Sequence, residues 1–161
     1  MYGIVVYFRR DFKDIRFPVK KLENLVRIVC KRFGIANALV DITVVGNNCM
    51  RKLNKQFLNR KTNTDCLSFD LSDARDSRKQ FSLIVNGEKA GLEAARRCHS
   101  AQAELALYIT HGLLHNLGFN DHTPLQATIM HWMEDEILEQ QGFGPVYNGR
   151  IKIISRRRRK C

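Results

Sequence analysis

The chain has 161 residues, 44% of them hydrophobic and 27% charged, a length and balance that fit one folded domain and exclude global disorder. No apolar run approaches the ~18 residues of a membrane-spanning helix. The five-residue run Ile4 to Phe8 is too short for a secretory signal, so the cytoplasm is the expected compartment. The net charge is +11, and seven of those charges lie between Arg150 and Lys160 with no acid among them. Residues 1–145 are therefore expected to form a single domain, and residues 146–161 a flexible basic tail suited to a polyanion. The five cysteines are odd in number and lack C-x-x-C spacing, which predicts reduced thiols, with Cys30 and Cys66 as small core residues.

In chain order, Ile4 to Phe8 reads as a strand. Apolar residues at Val19, Leu22, Leu25, Val26, Ile28 and Val29 predict a helix from Pro18 that stops at Gly34. Leu39 to Val45 is β-branched and reads as a strand. Asn47 or Asn48 is expected to cap a helix carrying Met50, Leu53, Asn54 and Phe57. Cys66 to Leu71 and Phe81 to Val85 read as strands joined by a charged loop. Three helices follow: Glu88 to Cys98, Ala103 to Leu117, and Pro124 to Gln140. The predicted fold is α+β, a small mixed sheet packed with about five helices. On the last helix, Ile129, Trp132, Met133, Ile137 and Leu138 are expected to form the packing stripe. His99 reads as a surface residue, and Tyr108 and Phe119 as core.

The segment Ala106 to His122 carries the chemistry. His111 and His115 stand four apart on a helix, which puts both rings on one face. Gly118 ends that helix and lets the chain double back, returning Asp121 or His122 as a third ligand. Imidazole and carboxylate suit a borderline ion such as zinc, and three protein ligands leave a position open for water. Glu104, seven residues before His111, is a candidate hydrogen-bond partner for a ligand histidine. His131 gets no ligand role. Zinc proteases of the H-E-x-x-H type carry a glutamate base after the first histidine, and here that residue is Gly112.

The run His111-Gly112-Leu113-Leu114-His115-Asn116-Leu117-Gly118-Phe119 resembles the H-G-x-L-H-x-x-G-[FY] motif of the YbeY family of metal-dependent endoribonucleases. A second block is similar to the same family: Leu53-Asn54-Lys55-Gln56-Phe57, then Asn63-Thr64-Asp65-Cys66-Leu67-Ser68-Phe69. Together the blocks extend the resemblance over Val40 to Leu138. It implies a central histidine-bearing helix and one zinc-type divalent ion per chain, other first-row metals being accepted. It also implies hydrolysis of single-stranded RNA during 16S rRNA 3′-end maturation and ribosome quality control. The expected partners are rRNA of the small ribosomal subunit and single-stranded RNA, with no membrane and no specificity for DNA.

The sequence departs from the family at four places. The family's third ligand falls at Asp121 by register, whereas its ligand type matches His122. The family's arginine after L-N-x-x-[YF] is replaced by Leu58, with Arg60 two residues on as its substitute. Asn63 replaces a proline, and Phe81-Ser82 replaces Gly-Asp or Gly-Glu. On this reading His115 and Arg60 act in catalysis, and His111, His115 and Asp121 or His122 hold the metal. Lys55, Arg60, Lys61, Arg156, Arg157, Arg158 and Arg159 contact RNA. Ser68, Thr64 and Asp65 are expected to be mainly structural. The rival readings are a non-catalytic RNA- or ribosome-binding module with a structural metal, and a zinc-dependent protease or amidohydrolase.

Overall fold

The computed structural model describes residues 3–147. Strand β1 (Ile4–Arg10), helix α1 (Val19–Arg32) and strand β2 (Ala38–Val45) form a parallel crossover in which β1 and β2 pair in register from Ile4↔Ala38 to Arg10↔Val44. Helix α2 (Asn47–Leu58) leads to the hairpin of β3 (Cys66–Asp70) and β4 (Lys79–Asn86). Helices α3 (Gly87–Arg97), α4 (Ala101–Asn116) and α5 (Pro124–Gln140) follow. The sheet order is β1-β2-β4-β3, parallel except for the edge strand β3. Among the described residues, a four-stranded mixed sheet with five helices is the α+β architecture expected from the sequence.

The alternation of β2 explains the two-sided core. Ala38, Val40, Ile42 and Val44 are fully buried in the main cluster, together with α1 and α4. The opposite side holds a smaller cluster in which Met50 of α2 packs with Val45 and Leu67. Helix α4 is buried on nearly every face, from Ala103 to Thr110 and again from Gly112 to Leu114, and is apolar there apart from Glu104 and Thr110. A helix without a polar side belongs inside the protein, and α4 runs beneath the sheet with α1, α3 and α5 against it.

Several local expectations change. Helix α2 has Gly46 at its N-cap with no side-chain cap; the backbone N–H of Asn47 donates instead to Glu88 Oε2, 2.8 Å away on α3. On α5 the buried stripe runs through Met130, Met133, Glu134, Ile137 and Leu138, leaving Ile129 and Trp132 about half exposed. Apolar spacing alone rotates this face, because it treats an acid such as Glu134 as a solvent residue. His99 is not a free surface residue, since its Nε2 lies 2.8 Å from Glu104 Oε2. Cys30, Cys49 and Cys66 are free thiols, but Cys98 is disulfide-bonded. Packing also continues past residue 145: Val146 is buried, and its N–H donates to Asp135 Oδ1 at 2.7 Å. The basic residues Arg156, Arg157, Arg158 and Arg159 lie outside the described residues. No helix among the described residues is long and apolar enough to cross a membrane.

Candidate metal centre

Helix α4 presents His111 and His115 one turn apart, their ring centroids 4.5 Å from each other and the rings nearly perpendicular. Each Nδ1 faces an acceptor. His111 Nδ1–H donates to Glu134 Oε1 at 2.7 Å, and His115 Nδ1–H donates to the Phe119 carbonyl at 3.0 Å. A carboxylate and a carbonyl only accept, so both neutral rings carry their proton on Nδ1 and a lone pair on Nε2. The two Nε2 atoms lie 3.0 Å apart. Two lone pairs at that distance repel unless a proton or a cation is shared between them. This donor geometry fits a metal ion.

The third donor arrives through the chain reversal. Gly118 adopts φ +96°, a conformation that residues with a Cβ rarely take. The Phe119 N–H then bonds the Leu114 carbonyl at 3.0 Å, closing the helix end. The Phe119 ring packs edge-on against Phe33, centroids 5.3 Å apart, which anchors the loop. Asp121 Oδ2 comes to 3.7 Å from His111 Nε2, and Asp121 Oδ1 to 3.7 Å from His115 Nε2. His111, His115 and Asp121 are the converging donor set among the described residues. His122 is exposed and stands outside it.

Burial drags the His111 pKa down, but the hydrogen bond and charge of Glu134, helped by Asp65 and Asp121, outweigh it and leave the value raised. Glu134 is fully buried, and its Oε2 has no hydrogen-bond partner among the described residues. Sequence spacing makes Glu104 a candidate for this supporting role, and the structure gives the role to Glu134 instead. Glu104 lies within 3.6 Å of Arg97 and 2.8 Å of His99, away from the histidine pair. The clue that points to Glu134 is an acid at a buried position of the α5 stripe.

The donors open into a cavity of about 460 Å³ whose walls include Asn54, Leu58, Arg60, Asp65, Ser68 and Tyr147. Arg60 reaches this wall although Leu58 holds the family position. Asn59 takes a left-handed conformation, φ 53°, at the end of α2 and turns the chain. Buried Asn54 then fixes the loop by donating from Nδ2 to the Thr62 carbonyl at 2.6 Å. Lys55 and Lys61 are exposed and are not among the cavity-lining residues. Asn63, the proline replacement, is tied down: its Oδ1 accepts from Asn86 Nδ2 at 3.0 Å, and its own Nδ2 donates to Asn47. Asp65 Oδ1 accepts from the Cys66 N–H at 2.8 Å and from Thr64 Oγ1 at 3.1 Å. His131, also in the cavity wall, stacks on Tyr147 with centroids 3.9 Å apart.

Gly112 explains the missing protease base. A Cβ at this position would meet Cys66 Sγ at 2.7 Å and Leu83 Cδ2 at 3.0 Å. The residue faces the sheet, so a glutamate there has no room.

The fold and the donor set together define a small α+β protein in which His111, His115 and Asp121 could hold a metal ion at the wall of a cavity. The family model described as Endoribonuclease YbeY matches residues 9–142, and the chain belongs to that family. Endoribonuclease YbeY of Carboxydothermus hydrogenoformans is 34% identical over 138 residues, covering 82% of this chain and 96% of its own. The Bacillus subtilis protein of the same name is 26% identical, covering 77% and 86%. The solution structure of TM1509 from Thermotoga maritima is similar in fold, with a TM-score of 0.58 at 20% identity over 92% of this chain and 99% of that one.

Proposed function

We propose that this chain is a metal-dependent endoribonuclease that hydrolyses single-stranded RNA. We place its work in the cytoplasm, in 16S rRNA 3′-end maturation and ribosome quality control on the small subunit. Family membership supports the RNA substrate. The observation that carries the mechanism is the pair of Nε2 lone pairs 3.0 Å apart with Asp121 beside them. His111, His115 and Asp121 would hold one divalent ion, zinc by donor type, although other first-row ions accept this set. Such an ion supplies Lewis acidity, polarising a phosphodiester oxygen and acidifying a water.

The chain's own groups do the rest. Glu134 and the Phe119 carbonyl hold the histidines in the tautomer that points Nε2 inward. Arg60, in the cavity wall, would offset negative charge that grows on the phosphate. Lys55, Lys61 and the arginines at 156–159 add affinity that does not depend on sequence. Deleting residues 156–160 is expected to flatten the log-affinity against log-salt slope by about 0.7 for each phosphate that the tail neutralises.

A structural-metal module is less well supported, because only three donors converge among the described residues and they open onto the cavity. The protease reading loses support at Gly112. The test is cleavage of single-stranded and duplex RNA of one sequence by zinc-loaded wild type and by His111→Ala. Metal-dependent cutting of the single strand alone, lost in the variant, supports the proposal; cutting that survives both EDTA and His111→Ala overturns it.

A further inference from the structure

Helix α2 ends in an aromatic ring that the metal centre does not use. Phe57 is 50% exposed, and its ring leans on Phe69 of β3 with centroids 5.2 Å apart at 59°. Neither ring lines the cavity, but their chain neighbours do: Asn54 and Leu58 of α2 beside Phe57, and Leu67 and Ser68 of β3 beside Phe69. Along α2 and the loop after it the charge is of one sign. From Gly46 to Thr64 the chain carries Arg51, Lys52, Lys55, Arg60 and Lys61, all exposed, and no Asp or Glu. An uncovered aromatic face within an all-cationic stretch suits a strand of unpaired nucleotides, whose phosphates meet the cations while a base stacks on the ring.

We propose that Phe57, braced by Phe69, is a stacking platform for one unpaired base of RNA at the rim of the cavity. The phosphates on either side of that base run along the cations of α2 and the loop after it. The proposal rests on the RNA-cleaving reading above and adds how the single strand is gripped. Because every base has a π face, the platform selects unpaired bases without selecting sequence. The packing alternative is that Phe57 merely covers Phe69, a role that leucine would also fill.

The test uses the full-length protein in EDTA, which halts turnover, and anisotropy with labelled oligomers of roughly ten nucleotides, within a usual single-strand site size. One oligomer is oligouridine and the other has the same backbone without bases. Phe57→Leu is expected to weaken binding of the base-bearing oligomer by about five- to 150-fold, the range that removal of one stacked base spans. Binding of the abasic oligomer and the salt slope should not change. Lys55→Ala should weaken both oligomers and lower the slope. A 2-aminopurine placed in the oligomer should be quenched by wild type and by Phe57→Trp, but not by Phe57→Leu. The Trp variant keeps the test valid if the Leu variant fails to fold. Equal binding of oligouridine by wild type and Phe57→Leu overturns the platform, as does an equal weakening for both oligomers. If wild type cleaves RNA yet shows no base-dependent binding, the platform alone falls. If base-dependent binding is present and no cleavage occurs, the platform stands and the nuclease reading falls.

Discussion

Glu134, wholly buried on α5, accepts a 2.7 Å hydrogen bond from His111 on α4, 23 residues earlier. That bond fixes which nitrogen of His111 faces the donor cluster, and it sets a buried carboxylate behind residues that could hold a cation. Removing the charge while keeping the shape should therefore weaken metal binding without emptying the core. Glu134→Gln is expected to lower zinc affinity by about 10- to 100-fold. Competition with a chromophoric chelator measures this, and an unchanged constant would show that Glu134 is only a packing residue.

The same pair sets a pH dependence. The pKa of His111 is raised above its ordinary 6.5 in the folded protein. The fold therefore favours the protonated ring, and this stabilisation is complete below the unfolded pKa and lost as pH rises through the folded one. Metal-free protein should lose melting temperature as pH rises from the ring's ordinary 6.5 through the raised folded value, and His111→Gln should lose less over that interval. Parallel curves for the two proteins would refute the assignment. Zinc competes with the same proton, so its stabilising effect should grow across that interval.

Asp121 and His122 are neighbours with different fates. Asp121 lies 3.7 Å from both Nε2 atoms, whereas His122 is exposed. Mass spectrometry of protein purified without chelators should find near-stoichiometric metal in wild type and His122→Ala, and a large loss in Asp121→Ala and His111→Ala. Loss in His122→Ala with retention in Asp121→Ala would reverse the choice of third ligand.

Gly112 offers a test in which helix propensity and packing disagree. Alanine in place of a mid-helix glycine normally stabilises by about 1 kcal/mol. Here the new methyl would enter the space of Cys66 Sγ and Leu83. Overpacking of a tight core costs roughly 1–3 kcal/mol, so Gly112→Ala should be destabilised in a urea melt. Stabilisation would mean that α4 can move off the sheet freely.

Much of this protein is legible from sequence because its signals are local. The helix over Val19 to Arg32 shows in the spacing of Leu22, Leu25, Val26 and Val29, the strand over Ala38 to Val45 in its β-branched alternation. His111 and His115 share a face because a helix repeats every ~3.6 residues. Gly118 announces the turn, since few other residues accept its positive φ. What the sequence leaves open depends on how elements pack. Asp121 and His122 differ by one residue, and only the path of the loop after Gly118, held by Phe119 on Phe33, decides between them. Arg60 reaches the cavity through the left-handed turn at Asn59 and the Asn54 tether. The support for His111 comes from Glu134 on another helix rather than from Glu104 on its own. Periodicity fixes which residues of one element share a face. The rotation of α5 against α4, set by side chains interlocking across the core, decides which of them touch.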